Sequence, residues 1–107
     1  LKKIFDAGIV VALGTDSGAE PVRAQGFSEQ QELELMVDAG LTPLQAIEVG
    51  TKNAATCLKI NKQYGSLEPG KKADFIVLGK NPEKDIKNTR QIESVWKNGL
   101  EVNQGPL

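Results

Sequence analysis

The chain of 107 residues carries 13 Lys and Arg against 14 Asp and Glu, a formal net charge of −1 with no long run of one sign, so neither nucleic acid nor an anionic membrane is implied as a partner. Hydrophobic residues make up 39% and the 11 Gly bring the apolar share to about half, the ordinary globular range, while no apolar run approaches the roughly 18 residues of a membrane span. There is no His and one Cys, which excludes an internal disulfide, any Ser-His or Cys-His dyad built within the chain, and the commonest metal ligand.

Leu1, Ile4 and Phe5 have helical spacing, and Gly8 stands where a C-terminal cap belongs, so residues 1–8 read as the tail of a helix. No N-cap precedes them and the first residue is not Met. The expectation is a piece of a longer protein, whose missing leader says nothing of location; the cytoplasm is the expected compartment. Ile9-Val10-Val11-Ala12-Leu13 is a run of five apolar residues, three of them β-branched, which predicts a strand over 9–14 covered on both faces, as in a parallel sheet. Gly14, Ser17 and Gly18 then punctuate the chain, which places Asp16 just past the carboxyl end of that strand. In open α/β sheets and in (β/α)₈ barrels, chemistry sits at that edge.

Residues 15–27 read as a loop rich in Gly, Ser, Pro and Gln, with Arg23 as its cation. Ser28-Glu29-Gln30-Gln31 matches a capping box, with Glu29 and Glu32 suited to the positive end of the helix that follows. Leu33, Met36 and Val37 form its apolar stripe, Met36 reads as core filler, and Gly40 ends it. Thr42-Pro43-Leu44-Gln45 is a second helix start, with Thr42 as cap, Pro43 in the first turn and Gln45 closing the box. Gly50 interrupts, and Thr51 restarts a helix through Leu58. Cys57, with no His to activate it, is expected to be a buried, inert thiol.

After Gly65 the texture turns strand-like. Pro69-Gly70 suits a type II turn, and Lys71-Lys72 is expected to be a solvated pair. Residues 73–78 predict a strand that Asn81-Pro82 breaks, and 83–90 look polar and loop-like. Residues 92–97 and 100–102 flank Asn98-Gly99, a strong hairpin signal, and Trp96 reads as a core or domain-interface residue.

Two side chains are candidates for chemistry. Asp16 has two readings: a carboxylate that binds a metal or takes a proton from an activated water, or a turn former bonded to its own backbone. Arg23 has two as well: a grip on a substrate carboxylate, or a loop residue that is solvated or paired with Glu20. One carboxylate does not hold a catalytic zinc, which usually has three protein ligands, so the chain alone is not expected to be a complete active site.

Three segments, Gly14–Gly18, Glu32–Ile47 with Thr51–Ala55, and Gly65–Leu78 with Val95–Gly99, occur in an order that closely resembles the C-terminal part of the metal-dependent amidohydrolase superfamily. The nearest branch is similar to imidazolonepropionases and metallo-dipeptidases. The resemblance implies an α/β fold: the C-terminal part of a (β/α)₈ barrel, with its last strand and closing helices, and the C-terminal strands of a small β-sandwich. Residues 9–14 would be the eighth strand and 28–60 the closing helices. The domains would be 1–64, barrel, and 65–107, sandwich. It further implies a parent that hydrolyses amide, peptide or cyclic-amide C–N bonds with a divalent metal, zinc being the expected one, and with Asp16 as metal ligand and proton carrier. The family's His ligands, including a His-x-His, are absent here, so the chain is expected to be inactive and metal-free alone. Its expected partner is the missing N-terminal part of the barrel, or another copy of itself in an oligomer; the parent's substrate would be a small molecule or short peptide. The alternative reading is a non-catalytic association module.

Overall fold

The computed structural model describes residues 1–19 and 23–102. It is a small α/β unit whose elements, in chain order, are α1 (Lys2–Asp6), α2 (Ser28–Asp38), α3 (Pro43–Gly50), α4 (Lys52–Cys57), β1 (Phe75–Leu78), a 3₁₀ helix (Ile86–Arg90), β2 (Ile92–Lys97) and β3 (Leu100–Glu101). The first four build a helical layer and the rest an antiparallel sheet in the order β1-β2-β3.

The helices follow local chemistry. After α2, the Gly40 N–H donates to the Val37 carbonyl and the Leu41 N–H to the Met36 carbonyl, with Gly40 at φ +112°. This is a Schellman stop, and its usual apolar contact is present because Met36 and Leu41 are both buried in the core. The expected box at α3 forms: Thr42 Oγ1 accepts from the Gln45 N–H at 3.2 Å and Gln45 Oε1 from the Thr42 N–H at 3.0 Å, with Pro43 in the first turn. The expected box at Ser28 does not. Phe27 is already helical at φ −101° and ψ −44°, and Ser28 is buried without a capping bond. Glu29 reaches back instead, accepting from the Gly26 N–H at 2.8 Å.

The core is Met36, Leu41, Ala46, Val49 and Ile86, with Phe5, Val11, Leu13, Leu33, Val37 and Ile47 packed around it. Ile86 comes from the stretch expected to be loop. Asp85 caps that 3₁₀ turn by accepting from the Lys87 N–H at 3.0 Å, which holds Ile86 against the helical layer. Arg90 locks the junction: its Nε and Nη2 donate to the two oxygens of Glu34 at 2.7 and 3.2 Å, and its guanidinium lies 4.6 Å from the centre of the Phe27 ring.

In the sheet, Phe75 pairs with Trp96 and their rings stack at 5.6 Å; Ile76 faces Val95, and an irregularity between Val77 and Leu78 shifts the register. Asn98 and Gly99, at φ +52° and +77°, make the expected two-residue hairpin turn. Two other expectations fail. Cys57 is exposed, at the last turn of a helix too short to carry it into the core. Lys71 is only 17% exposed, because its ammonium donates to Ser66 Oγ at 2.6 Å and pairs with Glu68 at 3.0 Å while its stem lies along the chain.

Residues 9–14 form no strand, a correction to the sequence reading. Among the described residues the segment's one backbone hydrogen bond runs from the Leu13 N–H to the Val49 carbonyl at 3.3 Å. Val11 and Leu13 turn inward while Ile9 and Val10 remain 58% and 50% exposed. The segment has strand composition, but the described residues supply no strand beside it. The whole chain exposes 7641 Å², where a compact monomer of its mass would expose about 5,800 Å².

Leu41→Ala empties a buried core position and is expected to cost about 3 kcal/mol, read as a lower urea midpoint with the m-value unchanged. The Arg90 hydrogen bonds hold the Glu34 carboxyl below its ordinary value of 4.5. A carboxyl depressed in the folded state stabilises above its unfolded pKa and loses that contribution as pH falls toward the folded one. Glu34→Gln should therefore melt lower than wild type at pH 7, and the difference in circular-dichroism melting temperature should shrink as pH drops below 4.5.

Candidate functional site

The site starts from the way the 9–14 segment lies on α3. Leu13 Cδ1 is 3.4 Å, and Leu33 Cδ2 3.5 Å, from where a Cβ on residue 50 would stand, so both side chains pack on α3 at Gly50. The chain then leaves the helical layer at Thr15 and turns sharply. Asp16 adopts φ +53°, a left-handed conformation that Asp tolerates better than most residues but that still carries strain. The Ala19 N–H donates to the Asp16 carbonyl at 3.0 Å, and the Gly18 N–H to the Arg23 carbonyl at 2.7 Å, which brings both ends of the loop together.

That closure sets Arg23 beside Asp16, Nη1 to Oδ2 3.6 Å. The Asp16 side chain is 84% exposed and Arg23 44%, so the pair is solvated and worth little to stability. The structure thus brings together the two candidate residues of the sequence. The other expected partner of Arg23, Glu20, lies outside the described residues. Asp16 as a simple turn former is half right: its backbone carbonyl closes the turn, while its carboxylate points to solvent and Arg23.

A third residue belongs to this loop. Glu29, in the first turn of α2, accepts from the Ser17 hydroxyl and, at 3.3 Å, from the Thr15 hydroxyl, both on Oε1, while Oε2 takes the Gly26 N–H. Thr15 Oγ1 in turn accepts from the Ser17 N–H at 3.1 Å. The Ser17 hydroxyl, first among these donors, holds the Glu29 carboxyl below the usual carboxylate range. Sequence reasoning placed Glu29 at the helix dipole and missed its reach into the loop. The available signal was an acid in the helix's first turn with hydroxyls on both sides of Asp16.

Among the described residues no three His, Cys, Asp or Glu side chains lie close enough to hold a metal ion. The Glu29 oxygens are engaged by three donors, whereas the Asp16 carboxylate is open to solvent apart from Arg23. The donor set therefore fits one oxygen ligand and not a complete metal site. No helix among the described residues is long and apolar enough to cross a membrane.

The model of the Amidohydrolase family matches residues 1–102. An imidazolonepropionase of Deinococcus deserti is 38% identical over 107 aligned residues, which cover 94% of this chain and 26% of that protein. An ochratoxinase of Aspergillus niger is 39% identical, covering 87% of this chain and 19% of its own length. In structure, a Xaa-Pro dipeptidase with methionine bound in its active site superimposes with a TM-score of 0.84 at 35% identity, over 94% of this chain and 24% of the dipeptidase. The chain thus spans about a quarter or less of the proteins it matches.

Asp16→Gly relieves the left-handed backbone and gives up only a solvated ion pair. It should leave stability unchanged or raise it by up to about 1 kcal/mol, measured by urea denaturation. Clear destabilisation would make Asp16 a structural residue.

Proposed function

We propose a function from one premise: this chain belongs to the amidohydrolase family. It is the C-terminal piece of a hydrolase that cleaves amide, peptide or cyclic-amide C–N bonds, with Asp16 as its contribution to the catalytic centre. The observation that carries the reading is a solvent-open carboxylate, with Arg23 beside it, held at the end of an apolar segment that pairs with no strand among the described residues. In this reading 9–14 is the last strand of a (β/α)₈ barrel, residues 1–64 are the barrel's C-terminal part, and residues 65–107 are the C-terminal share of a β-sandwich. The half-covered segment and the excess exposed surface support it, since both call for a covering body larger than the chain supplies.

The chain's partner in this reading is the preceding part of the same longer protein, which would pair both edges of 9–14 and supply the ligands missing here. A divalent metal, with zinc favoured, would polarise the substrate carbonyl and raise the acidity of the attacking water; Asp16 would be one oxygen ligand to it. Asp16 would also accept the proton that the water loses and pass it to the leaving nitrogen, which is the work of a carboxylate open on one side to the reaction space. Arg23, half-exposed beside Asp16, would meet an anionic group on the substrate. A short peptide with a free carboxylate fits that pairing.

Two measurements test the reading. The isolated chain, dialysed against zinc, should retain no stoichiometric metal by elemental analysis. The full-length gene product should bind zinc and hydrolyse members of a panel of short peptides, cyclic amides and imidazolones, with Asp16→Asn lowering kcat by about 10²–10⁴-fold. Stoichiometric zinc on the isolated chain, or full activity in Asp16→Asn, overturns it.

A further inference from the structure

We infer that Glu29 is the positioning residue of this site: by bonding the residues on both sides of Asp16, it fixes where the Asp16 carboxylate stands. The inference rests on the role given to Asp16 above. Asp16 is held only loosely through its side chain, whose charged partner among the described residues is an exposed guanidinium at 3.6 Å. Its direction is set by its backbone, and so by Thr15 and Ser17. Both hydroxyls converge on Oε1 of Glu29, and Thr15 Oγ1 simultaneously accepts from the Ser17 N–H, so the three groups close a ring around residue 16. The donors and acceptors balance: each hydroxyl donates its one proton to Glu29, and Thr15 keeps a lone pair for the Ser17 amide.

The other Glu29 oxygen takes the Gly26 N–H, which ties in the far end of the same loop. Glu29 itself is fixed, since α2 is anchored through buried Met36 and through the Glu34–Arg90 pair. A helix-dipole partner alone would need only to lie over the end of α2. Glu29 instead reaches two residues that are 12 and 14 positions earlier in the chain, one on each side of Asp16. Such outer contacts are what hold catalytic groups in register.

The test has two readouts. In the 107-residue chain, Glu29→Ala should speed amide hydrogen exchange at Ser17 and Gly26 about tenfold, as expected for a lost hydrogen bond, while the Gln45 and Leu41 amides stay as in wild type. In the full-length protein, assayed on the panel member it hydrolyses, Glu29→Ala should lower kcat with KM little changed. Glu29→Gln, which keeps one oxygen for the two hydroxyls, should recover most of kcat and the slow exchange at Ser17, while Gly26, whose N–H then faces an amide nitrogen, stays fast. If Glu29→Ala also loosens Gln45 and Leu41, the Gln variant decides: slow exchange at Ser17 and near-full kcat support the inference, and behaviour like Ala at Ser17 and in kcat overturns it. Unchanged exchange at Ser17 in Glu29→Ala, or faster exchange with full kcat, overturns it as well. Full activity in Asp16→Asn is the separate outcome that removes the role of Asp16 itself.

Discussion

Leu13 packs on α3 at Gly50, its Cδ1 standing 3.4 Å from where a Cβ on that residue would be. That contact is the constraint on which the rest of the molecule depends. It brings the 9–14 segment onto the helical layer, sets the one backbone bond from Leu13 to Val49, and so fixes where the chain emerges at Thr15. Thr15 and Ser17 can then meet Glu29 in the first turn of α2. The packing of Leu13 on α3 thus bears, through Thr15, Ser17 and Glu29, on the location of a carboxylate.

The two halves of the unit are joined by few contacts of different kinds. Ile86 supplies the apolar one, entering the cluster of Met36, Leu41, Ala46 and Val49 from a short 3₁₀ turn. Arg90 supplies the polar one, with a forked grip on Glu34 and its flat face over Phe27. The fork adds direction to a contact that buried area alone would leave free to slide. With Glu29 and Glu34 both on α2, one helix takes the loop on one side and the sheet layer on the other.

What the sequence made legible was chiefly local. The Thr42 box, the Gly40 stop and the Asn98-Gly99 turn are decided within four or five residues, and each formed as expected. Ser28 failed because Glu29 met the same need by reaching back to Gly26, an option the box pattern ignores. The 3₁₀ turn at 86–90 was missed because one Ile among polar residues has no period; its place depends on α2, about fifty residues away. Lys71 looked solvated because its acceptors, Ser66 and Glu68, lie across a turn. For 9–14 the composition was strand-like, but no strand lies beside it among the described residues, and without a ladder the segment is not a strand. At the site, Asp16 and Arg23 were visible as residue types; that the loop would close and bring them together was not, because that rests on backbone bonds across five residues.

The apolar segment has a consequence for the life of the polypeptide before it is folded. From Ala7 to Thr15 there is no charge and no proline, and the middle of the run is β-branched. Such windows recruit copies of themselves when they are bare, and natural chains bracket them with charges that oppose stacking. Asp6 and Asp16 stand at the two ends of this run. The carboxylate to which the proposal assigns chemistry therefore also stands where a gatekeeper against aggregation belongs, and removing it would be felt in solubility during synthesis.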